Sequence, residues 1–214
     1  LTYLPYHGRH KRSFLEVVRS RAKSGTTHFH AYASLYVIKR NKRFTLDMVP
    51  VTRETSLVEV LETFLTRLDG CGYKVKLLFL DKGFYTSVVL QFLLDMHVPA
   101  VIPVVVRGRS GGVRHHLKGR RSHRTRYTVR SSKYGLEVEF PLYVVCRYGV
   151  DRYGGRMGSQ LFGYAVLNAN IRLDRVFGEY RRRFGIESSY KLMNVVRAKT
   201  TSQDPTFRLL LVLV

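Results

Sequence analysis

The first hundred residues alternate between strand-like and helix-like patterns of apolar and polar positions. Residues 28–38 are rich in β-branched and aromatic side chains and predict a strand, with residues 43–51 as its hairpin partner. Residues 75–80 and 98–106 are almost continuously apolar, as expected of strands covered on both faces. A helix over about 86–97 separates them. The order hairpin, helix, strand, helix, strand indicates an α/β protein with a mixed sheet and helices packed on its faces.

A well-marked helix follows the hairpin. Ser56 is a good N-cap, and Glu59 three residues later completes a capping box. Gly70 is placed to end this helix. Between these residues, apolar side chains recur at the i, i+3, i+4 spacing of one buried face, at Leu57, Val60, Leu61, Phe64, Leu65 and Leu68.

The character of the chain changes after residue 106. Residues 107–126 carry eight Lys and Arg and three His with no acidic residue among them, and residues 127–168 contain short strand-like pieces separated by glycine turns. We therefore predict three parts. They are a first core segment at 1–106, a basic β-rich insertion at 107–170 and core helices at 171–214.

Two local features lie within these parts. The glycine-rich run at 108–112 lacks the Gly-Lys-Ser/Thr of a phosphate-binding loop and is not expected to open a helix, which argues against a nucleotide site. The last long element is predicted to be a helix from Asp174, as N-cap, to about Arg197.

The charge balance indicates a polyanionic partner. Lys and Arg total 37 against 15 Asp and Glu in 214 residues, a formal charge of +22, so nucleic acid is the leading partner and an anionic membrane surface the second. No apolar run reaches the ~18 residues needed to span a bilayer. With only Cys71 and Cys146, a disulfide framework or a Cys zinc cluster is excluded, and a reducing, cytosolic setting fits best.

Two groups of residues could carry chemistry in the first half of the chain. Asp81 follows the apolar run 75–80, and ligands and metals collect at such strand ends in open α/β sheets. An Asp that starts a turn before Gly83 is an equally good interpretation. His28 and His30 alternate on a predicted strand and share a face, but no third ligand is near, so a structural or surface role is expected.

The predicted last helix carries a second candidate. Tyr180, Arg183, Glu187 and Asn194 are spaced by 3, 4 and 7 residues and so line one helix face. This mixture of aromatic and charged residues is typical of neither a core face nor a solvent face. An ordinary ion pair between Arg183 and Glu187 remains the alternative.

These residues resemble those of a known family. Asp81-Lys82-Gly83-Phe84 resembles the second-aspartate motif of DDE transposases from prokaryotic insertion sequences. The segment from Tyr180 to Lys191 resembles their Tyr–Arg–Glu–Lys signature, and 4–8 and 25–33 are also similar to that group. The resemblance spans almost the whole chain. It implies a ribonuclease H-like mixed sheet flanked by helices, with a β-rich insertion before the glutamate-bearing helix.

The resemblance also implies a site. Asp81 and Glu187 would be catalytic and would bind two Mg²⁺ ions, with Mn²⁺ able to substitute. The family's first Asp is expected at or just before Leu1, so we expect these 214 residues to be a fragment that binds DNA without cutting it. The signature's Lys, seven residues after Glu187, is Asn194 here, and Lys191 or Arg197 is the candidate to replace its phosphate contact.

Further residues are expected to contact DNA. The resemblance assigns Tyr180, Arg183, Lys191 and Asn194 to DNA near the scissile phosphate. The basic insertion is expected to contribute backbone contacts, which give affinity without sequence readout, through Arg120, Arg121 and Arg124.

The sequence thus predicts the catalytic domain of an insertion-sequence transposase. It would perform metal-dependent strand cleavage and transfer at element ends, on double-stranded DNA and as a homodimer, in the prokaryotic cytoplasm near the nucleoid. A nuclease of the same fold without strand transfer is the first alternative, and a non-catalytic basic DNA-binding protein is the second. The reaction products distinguish the transposase from the nuclease, since only a transposase joins cut ends to target DNA.

Overall fold

The structure, a computed structural model, describes residues 2–6, 17–23, 25–39, 42–150, 155–183 and Phe207. Glu187, Lys191, Asn194 and Arg197 lie outside the described residues, as does the predicted course of the last helix beyond Arg183. The chain divides into two compact units, and among the described segments the first reaches Arg67 and the second runs from Leu68 to Arg183. Each unit has its own sheet among the described residues.

The first unit is built on a long central strand. Its strands are β1 (Thr2–Pro5), β2 (Val17–Lys23), β3 (Thr26–Lys39) and β4 (Lys42–Val51). β1, β2 and β4 all pair antiparallel with β3, and the β3–β4 pairing runs from Ala31–Val51 to Lys39–Lys42. The predicted hairpin is confirmed, because alternating apolar residues on both strands can bury one face against a helix.

Helix α1 (Leu57–Gly70) covers that face. The Ser56 N–H donates to Glu59 Oε2 at 2.9 Å and the Glu59 N–H donates to Ser56 Oγ at 3.1 Å, which confirms the predicted capping box. Val60 and Phe64 pack against Ala33 and Val49 in a buried cluster. The helix ends at Gly70 as predicted, and the left-handed turn that follows is made at a second glycine, Gly72, with φ of 73°.

The second unit contains a five-stranded mixed sheet. Its strands are β5 (Leu78–Phe79), β6 (Ala100–Pro103), β7 (His123–Ser131), β8 (Leu136–Val150) and β9 (Arg156–Leu167), in the order β5-β6-β9-β8-β7. β5 and β6 are parallel and the other pairs are antiparallel, so β5, β6 and β8 all run in one direction. The β-rich character predicted for residues 107–170 is confirmed. Its strands extend the same sheet as β5 and β6.

Strand β5 is much shorter than predicted. Only two of residues 75–80 are in the strand. Among the described residues β5 is an edge strand that pairs on one side, with hydrogen bonds from the Leu78 N–H to Pro99 and from the Leu80 N–H to Val101. Leu78 and Phe79 are therefore half-buried, and the expectation of a strand covered on both faces is wrong here. It is right for β6, whose four residues are all buried.

Helices cover both faces of this sheet. The predicted helix at 86–97 is α2 (Ser87–Asp95), capped by the Thr86 side chain. Tyr85, just before it, contacts Phe140 on one face of β8. Helix α4 (Leu173–Arg182) lies on the other face, where Val176 and Tyr180 pack with Tyr143 and Tyr164.

Two predictions about helix ends are wrong. Asp174 is not the N-cap of α4. It is the second helical residue, Arg172 occupies the cap position, and the two side chains form a double hydrogen bond of 3.1 and 2.9 Å. The glycine-rich run 108–112 does open a helix, the single turn α3 (Val113–His116), because Gly112 adopts a φ of 55° that other residues rarely tolerate.

Candidate functional site

Asp81 lies two residues after the end of β5, at the carboxyl end of the parallel pair. It is the N-cap of a short 3-10 helix (Lys82–Phe84), and its Oδ1 accepts the Lys82 N–H at 2.8 Å. About half of its side chain, 53%, is exposed. Asp81 therefore shapes the turn, as the structural interpretation required, and also presents a carboxylate to solvent at the strand end, as the functional interpretation required.

Helix α4 brings two more predicted site residues to the same strand end. Tyr180 is 5% exposed, and its hydroxyl donates to the Leu80 carbonyl at 3.1 Å. The Arg183 side chain is 13% exposed, and its Nη2 donates to Asp81 Oδ1 at 3.4 Å. The two motifs, about a hundred residues apart in sequence, thus converge in one unit.

Packing on the sheet fixes this arrangement. The Tyr180 ring contacts Phe79 and Tyr164 with centroid distances of 6.1 and 5.3 Å. The central carbon of the Arg183 guanidinium lies 5.3 Å from the centroid of the Tyr180 ring. Since Arg183 follows Tyr180 by three residues, the same helix face that buries the ring aims the guanidinium at Asp81.

The burial of Tyr180 bears on its predicted role. A ring that is almost fully buried and a hydroxyl bonded to Leu80 hold α4 against β5, which positions Asp81. In this conformation the ring offers no open surface to DNA. The neighbouring Tyr164 is also buried, which raises its pKa to about 12. Both the burial and the proximity of Tyr180 favour the neutral hydroxyl, so Tyr164 carries no negative charge at neutral pH.

Asp81 has the chemistry of a Mg²⁺ ligand. Carboxylate oxygen is the hard donor that this ion prefers, and the hydrogen bonds that Asp81 accepts from the described residues both go to Oδ1. Within the part of the chain that the structure describes, no group of three or more His, Cys, Asp or Glu side chains is gathered. Asp81 therefore fits as one ligand, and the convergence of Glu187 with it stays a prediction.

The histidine pair follows the structural interpretation. His30 is 2% exposed, and its ring packs edge-on against Tyr6 with a centroid distance of 5.2 Å. His28 Nε2 accepts a hydrogen bond from Arg19 Nε at 3.3 Å. Both rings thus belong to the packing and surface bonding of the first sheet.

The predicted DNA-binding arginines differ in their surroundings. Arg120 and Arg121 are exposed in the loop before β7, and the Arg120 carbonyl accepts the Tyr148 hydroxyl at 2.9 Å. Arg124 is held on the sheet, with its guanidinium carbon 4.6 Å from the Tyr143 centroid and a bond of 3.4 Å to the Ile171 carbonyl. Three further residues on this side of the sheet were not predicted from the sequence: Arg147 of β8 and Arg181 of α4 both contact the ring of Phe177 of α4. The four-residue spacing of Phe177 and Arg181 on a helix was the signal that could have indicated their contact.

Comparison with known proteins identifies the type of fold. No protein-family model matches the sequence, and no curated protein matches it. A solved structure of piggyBac transposase, a synaptic complex with hairpin DNA, aligns over 99% of this chain and 43% of that chain with a TM-score of 0.55 and 14% identity. The fold is therefore similar to that of a transposase, and the chain spans less than half of that protein's length. Among the described residues, no helix is both long and apolar enough to cross a membrane.

Proposed function

We propose that this chain is the catalytic core of a DDE transposase of the insertion-sequence type, with a ribonuclease H-like fold. The observation that carries the proposal is the contact of Arg183 with Asp81, reinforced by the bond from Tyr180 to Leu80. It unites two motifs that resemble the aspartate and glutamate signatures of that family. The likeness of fold to piggyBac transposase, which is described in a complex with DNA, supports the same class.

Each residue of the proposed site would have a distinct role. Asp81 and Glu187 would hold Mg²⁺, which supplies activation of the attacking oxygen and stabilisation of the leaving oxygen at phosphorus. Tyr180 would hold the strand end in place, and Arg183 would orient the Asp81 carboxylate through Oδ1. Of the Asp81 oxygens, Oδ2 makes no hydrogen bond to the described residues, so it is the one available to a metal.

The partner would be double-stranded DNA, bound by a homodimer. The charge of +22 supplies long-range attraction, and the exposed Arg120 and Arg121 would contact the phosphate backbone. Lys191 and Asn194 are proposed to contact DNA beside Glu187. These contacts position the duplex and carry no sequence information, so the choice of element end would depend on other contacts.

The test is a cleavage and joining assay with the protein as its gene encodes it. The substrates are labelled duplexes taken from the DNA that flanks the gene, with a supercoiled plasmid as target, in Mg²⁺ or Mn²⁺. We expect Asp81→Asn and Glu187→Gln each to lower cleavage by about 10²-fold or more, because one missing ligand leaves the reacting groups misplaced. DNA affinity should be retained or improved, since negative charge near phosphate is lost.

Asp95→Asn is the matched control. Asp95 is an exposed carboxylate at the end of α2, bonded to Gln91, and its amide analogue can keep that bond. Cleavage by this variant should equal that of the unaltered protein. Cut ends without joined products would indicate the nuclease instead of the transposase, and DNA binding without any cleavage would indicate a non-catalytic protein.

A further inference from the structure

One face of the second sheet carries two kinds of arginine. The cross-strand register places Arg126 and Arg130 of β7 on the same face as Tyr143 of β8, together with Glu137 and Glu139. Arg126 pairs with Glu139 at 3.3 Å and Arg130 pairs with Glu137 at 3.0 Å. These cations are neutralised locally, so this end of the face offers little net charge to an anion.

The other end of the face carries unneutralised arginines. Arg147 of β8 and Arg181 of α4 are both exposed, and among the described residues neither has a carboxylate partner. Their guanidinium carbons lie 5.2 and 5.6 Å from the centroid of the Phe177 ring. Phe177 is itself fixed, because its ring packs on Phe162 of β9 at 4.8 Å.

This geometry suits phosphate. Contact with the aromatic ring holds a guanidinium in place while its N–H groups remain available as donors. Two guanidiniums held on one ring lose less conformational freedom on binding than two mobile side chains would. Charge-assisted bonds from arginine to phosphate oxygens are among the strongest hydrogen bonds in proteins.

The position of these arginines relative to Asp81 follows from the strand register. β8 runs in the same direction as β5, so Arg147 lies toward the sheet end at which Asp81 stands. Asp81 is level with Pro103, because Phe79 pairs with Val101, and Pro103 is level with Tyr143 of β8 across β9. Arg147 lies four residues beyond Tyr143 along β8. With three strand spacings across and four residues along, Asp81 and Arg147 are about 20 Å apart. That is shorter than one turn of duplex DNA, about 34 Å.

We propose that Arg147 and Arg181, held on Phe177, form a clamp for the phosphate backbone of duplex DNA whose other part lies at Asp81. The proposal rests on the proposed function for the identity of the anion. It adds residues that act outside the reacting centre and fix the register of the duplex on the sheet. The loop with Arg120 and Arg121 lies at the same end of β8, on the opposite face from Arg147, because the Tyr148 hydroxyl donates to the Arg120 carbonyl at 2.9 Å.

The test compares two double variants of the protein as its gene encodes it. Arg147→Gln with Arg181→Gln removes the clamp, and Arg126→Gln with Arg130→Gln removes the same charge from the paired end of the same face. Binding to a mixed-sequence duplex of about 30 base pairs is followed by fluorescence anisotropy over a series of salt concentrations. Two lost phosphate contacts should reduce the slope of log affinity against log salt by about 1.8, and the control pair should reduce it by less than half of that.

Equal reductions for both pairs, or no reduction for the clamp pair, would overturn the proposal. Far-ultraviolet circular dichroism checks folding, and if the double variant does not fold, Arg181→Gln alone should reduce the slope by about 0.9. Vesicles containing phosphatidylserine are a further arm. A clamp variant that loses vesicle binding and keeps its duplex slope would assign the surface to a membrane and overturn the proposal. The cleavage assay tests the proposed function separately. If Asp81→Asn loses cleavage as expected while the salt slope of the clamp variant is unchanged, only the clamp is rejected.

Discussion

The hydroxyl of Tyr180 joins two parts of the second unit that are a hundred residues apart in sequence. It donates to the backbone carbonyl of Leu80, the residue between the end of β5 and Asp81. A buried carbonyl without a partner costs free energy, so this hydroxyl contributes to stability as well as to the position of the site. Arg183 adds a weaker contact, because Asp81 is half-exposed and solvent screens the pair.

Tyr180→Phe tests this bond. Loss of the hydroxyl should lower the free energy of unfolding by about 1 kcal/mol, measured by denaturant titration, because the Leu80 carbonyl loses its donor in a buried setting. Tyr148→Phe is the matched control. It removes a hydroxyl of the same kind that bonds to Arg120 on the surface, where water can replace it, so its effect should be less than half as large. Equal losses would show that burial does not strengthen the Tyr180 bond relative to the surface bond.

Among the elements, β9 shows how closely packed the second sheet is. Gly163 lies in the middle of this strand, and a Cβ built there would be 2.6 Å from Val104 Cγ2 and 3.2 Å from Leu117 Cδ2. Val104 is 4% exposed and β-branched, so it cannot swing aside. The absence of a side chain at residue 163 therefore allows the segment after β6 to pack directly on β9.

Gly163→Ala should accordingly destabilise the fold. Overpacking of this kind costs about 1–3 kcal/mol, seen as a lower midpoint of thermal unfolding. The control is Gly158→Ala in the same strand, where nothing lies within 4 Å of the added Cβ. That change should be close to neutral. A Gly163→Ala protein as stable as the Gly158→Ala protein would mean that Val104 and Leu117 have room to move.

For the whole molecule, the dominant quantity is a charge of +22. Like charges repel within the folded state, and salt weakens that repulsion because the screening length shortens. In the absence of DNA, the midpoint of thermal unfolding should rise by a few degrees between about 0.05 M and about 0.5 M sodium chloride. A constant or falling midpoint would show that the surface ion pairs, which salt also weakens, outweigh the net repulsion.

A charge-reduced variant makes this test specific. Lys74 and Lys76 are exposed, and changing both to Glu lowers the formal charge from +22 to +18, since each change removes two units. The rise of the midpoint with salt should be smaller in this variant. An identical rise in both proteins would mean that salt acts through preferential exclusion and not through charge.

Much of the fold was predictable because it depends on neighbouring residues. The β3–β4 hairpin, the Ser56–Glu59 capping box and helix α2 all follow from patterns within about fifteen residues, and all are confirmed. The α/β class and the β-rich character of residues 107–170 were visible in the same way. Asp81 was identified because a run of apolar residues ends abruptly there, a local signal that happens to coincide with a sheet edge.

Other features depended on contacts that no local pattern encodes. The two-residue length of β5 follows from its place at an edge, and that place is decided by which strands pair. The cap position of α4 is Arg172, which makes no side-chain cap hydrogen bond, so no local capping pattern marks it. The sequence by itself thus determined the local elements, the basic charge and the motif residues. Only the tertiary structure decided that Arg183 reaches Asp81, that Tyr180 is buried and that Arg147 and Arg181 share one ring, because each is a contact between segments brought together by sheet pairing.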